Sequence, residues 1–310
     1  MNIIFFGSGD FAAVHLNRLL ASGHRVVGCV TKVDKPQGRG MRMVLSPVKE
    51  IALANGIAHV QPETLKDPSV VERLKAFGAD VFVVVAYGKI LTPQVLSIPK
   101  IFCVNVHGSL LPKYRGAAPI NWAIINGERK TGVTVMKMTV PMDAGDVIAQ
   151  EVMDIGPEMT SVELRAAMAP RGAELLVKTL DAIGQGKHQL TPQDHAQATF
   201  APKLTKEMGK IIWSNAVGDI DHQIRGLQPW PGAYTFYHGK MVKILKAAPS
   251  ASSAQKARPG QVLAVDKTGI TVACGSGALI LKEVLPEAGK PMSASAFAAG
   301  YKIAAGVVLL

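Results

Sequence analysis

The chain is 310 residues long, 48% hydrophobic and 18% charged, with a formal net charge of +11. This supplies one large apolar core and a second, smaller one. It does not supply a membrane span, because the longest apolar candidate, Ala79 to Leu91, is broken by Asp80, Gly88 and Lys89. A catalyst acting only on a small neutral molecule has no need of so positive a field, and the physical suggestion is a polyanionic partner. Cys29, Cys103 and Cys274 lie far apart in strand-like apolar stretches, with no metal-binding, redox or disulfide spacing. Met1 to Phe6 lacks a basic leader region and runs into a Gly-rich turn, so the cytosol is the expected compartment.

In chain order, short apolar runs alternate with amphipathic stretches through the first half, which predicts an α/β domain on a doubly wound, Rossmann-like and mostly parallel sheet. Strands are expected at Asn2 to Phe6, Arg25 to Thr31, His59 to Gln61, Asp80 to Tyr87, Cys103 to His107, Thr131 to Met138 and Val147 to Met153. Helices are expected at Phe11 to Ser22, Pro47 to Ala54, Ser69 to Phe77, Ala118 to Ile125 and Ser161 to Ile183, the last capped by Thr160 or Ser161 with Glu163 in its first turn. Periodicity fades from Gly184 to Phe200, and a linker over 189–207 is expected to divide a catalytic domain, 1–188, from a second domain, 208–310. There a helix over Ala216 to Arg225 precedes five β-rich runs between Ala233 and Val284, the pattern of a small OB-like barrel, with Ala248 to Ala257 as a hairpin loop.

Gly7-Ser8-Gly9-Asp10-Phe11-Ala12 partly matches a dinucleotide fingerprint. Asp10 would place negative charge where a pyrophosphate should sit, so a tight β-α turn capped by Asp10 is the preferred reading. The stretch Lys32 to Met43 holds basic residues and glycines just after a strand end, where a flexible loop carrying Arg39 and Arg42 can meet a phosphate backbone. Asn105 and His107 alternate at another strand end, so both side chains face one way and can reach one reacting atom. With an acid downstream they form a set suited to acyl transfer to an amine: an oxyanion donor, a proton-carrying ring and a carboxylate to orient it. Of the two acids in Met142-Asp143-Ala144-Gly145-Asp146, Asp143 is the better partner for His107, and Asp146 is assigned to the turn itself. No metal-ligand spacing is visible. Lys203, Lys206 and Lys210 have near-helical spacing close to the domain junction. Pro229-Trp230-Pro231-Gly232 is expected to pack the second domain rather than stack on a base.

These residues resemble the methionyl-tRNA formyltransferase family, most closely in NVHGSLLPKYRGAAPINW with the later MDAGD, and also in FFGSGDFAA, DKPQGRGMR, VVVAYGKIL, KLTKE and PWPGAY. The resemblance implies that the first domain binds 10-formyltetrahydrofolate and that the barrel helps grip initiator methionyl-tRNA. It implies catalytic roles for Asn105, His107 and Asp143, a folate site along Ser109, Leu110, Leu111 and Pro112, and contact between Arg39 and the top of the acceptor stem. Arg42, Lys203 and Lys206 are the further residues expected to meet tRNA. A metal-free monomer is expected. The apolar tail from Tyr301 to Leu310 departs from the more polar, basic ending expected of the family. The nearest rival is a formyltransferase acting on an amino-sugar nucleotide, which can share Asn-x-His and the later Asp; the basic GRG loop argues for tRNA.

Overall fold

The computed structural model describes residues 1–37, 42–251 and 257–310. The chain divides into two compact units. One comprises Met1–Pro119, Lys130–Asp154 and Arg165–Pro202; the other comprises Ile120–Arg129, Ile155–Leu164 and Lys203–Leu310.

In the first unit, β1 (Asn2–Phe6) leads through a Gly7 turn to α1 (Asp10–Leu20) and back to β2 (Arg25–Val30). Gly7 is required sterically: a Cβ there would meet Ala12 Cβ at 2.6 Å and the Val85 carbonyl at 2.9 Å. Gly9, not Asp10, occupies the N-cap of α1, and no side chain caps it; Asp10 sits in the first helical turn, where its charge suits the helix dipole. The basic segment carries two short strands, β3 (Lys35–Gln37) and β4 (Arg42–Val44), paired antiparallel. Arg39 lies outside the described residues. At the hairpin base, Lys49 bonds the Asp34 carboxylate and Gln61 Oε1, and its hydrogen bond to Asp34 holds that acid below the usual carboxylate range.

The chain continues through α2 (Pro47–Ala54), β5 (His59–Val60), α3 (Pro68–Ala76), β6 (Val81–Val85), the short α4 (Pro93–Leu96) and β7 (Phe102–His107). Beyond it come β8 (Arg115–Gly116), α5 (Pro119–Ile125), β9 (Lys130–Lys137), β10 (Val147–Asp154) and α6 (Ser161–Gly184). The seven-stranded sheet has the order β10-β9-β7-β6-β1-β2-β5. From β7 to β5 all pairs are parallel, and β9 and β10 add an antiparallel margin. The all-buried Val81–Val85 run explains β6, a central strand covered on both faces. Ile4, Phe6, Phe82 and Tyr87 anchor the core on one side of the sheet. At the start of α6, Glu163 accepts from the Thr160 amide at 2.8 Å and the Glu163 amide donates back to Thr160 Oγ1 at 3.3 Å, a reciprocal cap.

The stretch after α6, expected to be free of regular structure, instead binds the first unit through backbone pairing. Thr191 exchanges amide and carbonyl bonds with Val147, and β11 (Phe200–Ala201) pairs in parallel with β8.

In the second unit, α7 (Val217–Gly226) precedes β12 (Ala233–Tyr237), β13 (Lys240–Ser250), β14 (Val262–Asp266), β15 (Gly269–Ala273), β16 (Ala278–Pro286), β17 (Met292–Ser293) and α8 (Ala294–Tyr301). The sheet runs β12-β13-β16-β15-β14, with β17 on β16. Residues 248–250, expected in a hairpin loop, extend β13 against Ala278 to Ile280, and the rest of that expectation falls partly on 252–256, outside the described residues. The apolar tail closes this sheet into a barrel. Val262 N donates to Val307 O and Leu309 N to Gly260 O on the β14 side, while Phe236 and Leu310 exchange both backbone bonds on the β12 side. The spacing of Lys203, Lys206 and Lys210 is not helical: the segment is extended apart from one 3-10 turn, Glu207–Gly209. Of the Pro229–Gly232 motif, Pro231 and Gly232 are buried in this unit while Trp230 remains 48% exposed.

Candidate active site

Asn105 and His107 alternate on β7, opposite Met136 and Thr134 of β9. Parallel strands place their carboxyl ends along one edge of the sheet, where ligands collect in such folds. His107 is buried and Asn105 half-buried. The Asn105 side-chain amide makes no hydrogen bond among the described residues, which leaves its donors available. His107 Nε2 lies 2.8 Å from the Tyr114 carbonyl oxygen. A carbonyl can only accept, so Nε2 carries the proton. The other nitrogen, Nδ1, faces Asp143 Oδ2 at 3.7 Å, an ion-pair distance that is too long for a hydrogen bond.

The same Asp143 oxygen accepts from the Gly116 amide at 2.8 Å. Asp143 has φ +51° and Tyr114 φ +61°, left-handed conformations that cost a non-glycine residue about 1–3 kcal/mol each and are held only where surrounding structure imposes them. A Cβ at Gly145 would lie 1.9 Å from the Lys137 carbonyl, so the turn presses against β9. Asp146 contributes its backbone carbonyl, which accepts from Lys137 N at 2.9 Å.

The loop after β7 is tied down by one buried hydroxyl. Thr134 Oγ1 donates to Ser109 O at 2.6 Å and accepts from Leu111 N at 3.1 Å, while Gln150 Nε2 reaches both Leu111 O and Thr134 Oγ1 at 2.9 Å. Ser109 Oγ turns inward to Lys113 O at 2.6 Å, so this hydroxyl shapes the loop. Leu110 packs over β9, where a Cβ at Gly132 would meet its Cδ2 at 2.5 Å. Pro112 is half-buried beside the buried Leu111.

Asn105, His107, Ser109, Leu110, Leu111, Pro112 and Asp143 therefore all belong to the first unit, at one end of its sheet. Lys203 and Lys206 are exposed in the second unit. Arg42 begins β4. Sequence reasoning missed Thr134, Gln150, Arg115 and Gln193. Thr134 and Gln150 follow ordinary strand alternation, and Gln193 sits in a stretch without periodicity; only Arg115 lay inside a conspicuous motif.

Among the described residues no group of three or more His, Cys, Asp or Glu could hold a metal ion. The three cysteines are free and buried, and burial pushes the thiols of Cys29 and Cys103 up to about 12, away from nucleophilic use. No helix among the described residues is long and apolar enough to cross a membrane.

The formyl transferase family matches residues 1–180, and its C-terminal domain matches residues 203–302. The methionyl-tRNA formyltransferase of Alkaliphilus oremlandii is 45% identical over 309 residues, covering 100% of this chain and 99% of that protein. The chain belongs to the methionyl-tRNA formyltransferase family. A second member, from Acetivibrio thermocellus, is 43% identical with the same coverage of both chains. Among solved structures, the sugar 3N-formyl transferase WlaRD, determined in the presence of dTDP and 5-N-formyl-THF, aligns with TM-score 0.67 and 19% identity over 90% of this chain and 96% of its own. That likeness is one of fold. Membership thus rests on full-length sequence similarity, and the two matched segments fall on the doubly wound sheet and the OB-like barrel.

Proposed function

We propose that the chain transfers the formyl group of 10-formyltetrahydrofolate to the α-amine of methionine esterified to initiator tRNA, in the cytosol and as a monomer. The observation that carries the chemical part is the convergence of Asn105, His107 and Asp143 at the carboxyl end of β7, with Asn105 donors uncommitted and His107 Nδ1 facing a carboxylate. Family membership supplies the acceptor, and a folate donor accords with the family as a whole.

In this reading the substrate amine is the nucleophile, so no enzyme nucleophile is needed. It attacks the formyl carbon, the carbonyl oxygen gains negative charge, and Asn105 donates to that oxygen together with His107, whose Nε2–H exchanges the Tyr114 carbonyl for the substrate oxygen. Each such donor contributes about 3 to 4 kcal/mol in comparable oxyanion sites. Asp143 orients His107 and takes the proton that the amine loses, directly or through water, and that proton passes to the departing folate nitrogen as its carbon–nitrogen bond breaks and the carbonyl re-forms. Ser109 to Pro112 line the folate site. Residues 1–188 serve as the catalytic domain and 208–310 as the tRNA-binding domain, with Arg39, Arg42, Lys203 and Lys206 meeting the tRNA backbone.

The deciding assay follows labelled formyl transfer to methionyl-tRNA beside an amino-sugar nucleotide. Transfer to the tRNA alone is expected. Asn105→Ala and His107→Ala should each lower kcat by about 10²- to 10³-fold while tRNA binding persists. Preference for the sugar would overturn the acceptor, and wild-type turnover in both variants would overturn the site.

A further inference from the structure

The Asp143 turn is gripped by a residue from a distant, irregular part of the chain. Gln193 is buried, and its Nε2 donates to Asp143 O at 2.9 Å and to Gly145 O at 2.6 Å. Its Oε1 accepts from Arg115 Nε at 3.2 Å and Nη2 at 2.7 Å. The guanidinium has no acceptor, so the direction of the Gln193 amide is fixed by chemistry: oxygen toward Arg115, nitrogen toward the two carbonyls. Arg115 is itself 8% exposed, and its Nη2 also lies 2.9 Å from His195 Nδ1, which must therefore present a lone pair. Both hydrogens of one amide are thus spent on alternate carbonyls of the turn that aims the Asp143 carboxylate at Gly116 N and His107.

We propose that Gln193, held by the buried Arg115, is a positioning residue that keeps Asp143 in its left-handed conformation and so sets the carboxylate against His107. The proposal rests on the reading of Asp143 as the residue that orients His107. Gln193 reaches the turn's backbone, not the reacting atoms, so its contribution passes through Asp143. Losing it frees the two carbonyls, lets φ at Asp143 relax toward ordinary values and swings the carboxylate away.

The test is a double-mutant cycle in the full-length chain, with steady-state kinetics on initiator methionyl-tRNA and 10-formyltetrahydrofolate. Gln193→Met keeps the side-chain length and removes both donors. It should lower kcat by about 10- to 100-fold, the cost of a displaced catalytic group, with both KM values changed less than about twofold. In an Asp143→Asn background the same substitution should cost almost nothing further, because the group it positions is already lost. An unchanged kcat in Gln193→Met, or losses that multiply in the double variant, would overturn the proposal. If Gln193→Met fails to fold by circular dichroism, Gln193→Glu decides: it keeps the Arg115 partner and places an acceptor against both carbonyls, so wild-type kcat there also overturns it. Wild-type kcat in Asp143→Asn alone is a different result, and it removes the reading on which the proposal rests.

Discussion

His15 shows how strongly one buried residue can couple this fold to pH. It lies on α1 with its side chain fully inside, Nδ1 at 2.7 Å from the Phe11 carbonyl and Nε2 without a partner among the described residues. Gly172 of α6 leaves room for the ring, since a Cβ there would come within 2.9 Å of Nε2. Burial, partly offset by the hydrogen bond to Phe11, lowers the pKa from the ordinary 6.5 to about 4. Between these values the unfolded chain binds a proton that the native chain refuses, so stability is full above pH 6.5 and falls as pH drops toward 4. The shift amounts to about 3 kcal/mol at most. Denaturant melts from pH 7 to 4 should therefore show an acid-side loss that His15→Leu flattens; an equal slope in the variant would refute the assignment. The contrast with His107 is instructive. Both are buried imidazoles, but His107 stands at a strand end beside a carboxylate, and that placement was readable because alternate strand residues share a face. Nothing comparable marked Gln193, whose importance arises only from a turn fifty residues earlier in the chain.

At the scale of elements, the C-terminal tail carries the clearest lesson. Its apolar run departs from the polar ending expected of the family, and the barrel supplies the reason. The tail pairs Phe236 of β12 and Val262 of β14, whose outward backbone groups would otherwise stand open at the sheet edges, a liability for aggregation. Leu309 is 3% exposed and joins the second unit's core with Trp213 and Phe297, while Trp213 Nε1 donates to Thr235 Oγ1, which donates on to Leu310 O. Leu309→Ala should destabilise that unit by about 2–4 kcal/mol, seen as an earlier transition in thermal or denaturant melting of the whole chain. An unshifted transition would show that the tail is ornamental to the core. Helix α8 escaped the periodicity reading because Ala294 to Tyr301 is rich in small residues, so its apolar face gives no contrast; its start is set by Ser293, whose hydroxyl accepts from Ala296 N. The β8–β11 pair escaped because two-residue strands have no period to detect.

For the whole molecule, the +11 charge acquires a purpose under the proposed function. A tRNA acceptor bound through phosphates releases counterions, so its KM should rise steeply with salt, by about 0.7–0.9 in log KM per log unit of salt for each neutralised phosphate. The KM for the folate should change far less, and Arg39→Ala should lower the tRNA slope by about one. Parallel salt dependence for the two substrates would remove the electrostatic role. The sequence by itself determined the α/β sheet and its strand succession, the barrel-forming β runs, and the placing of Asn105 and His107 on one face, because hydrophobic periodicity and strand alternation are local properties of a chain. Only the tertiary structure decided which oxygen Asp143 presents to Gly116, how Thr134 clamps the loop after β7, what Gln193 and Arg115 hold, and why the tail is apolar. These depend on groups brought together across tens of residues. A carbonyl or amide carries no sequence signature, and its partner is settled only when the chain has closed around it.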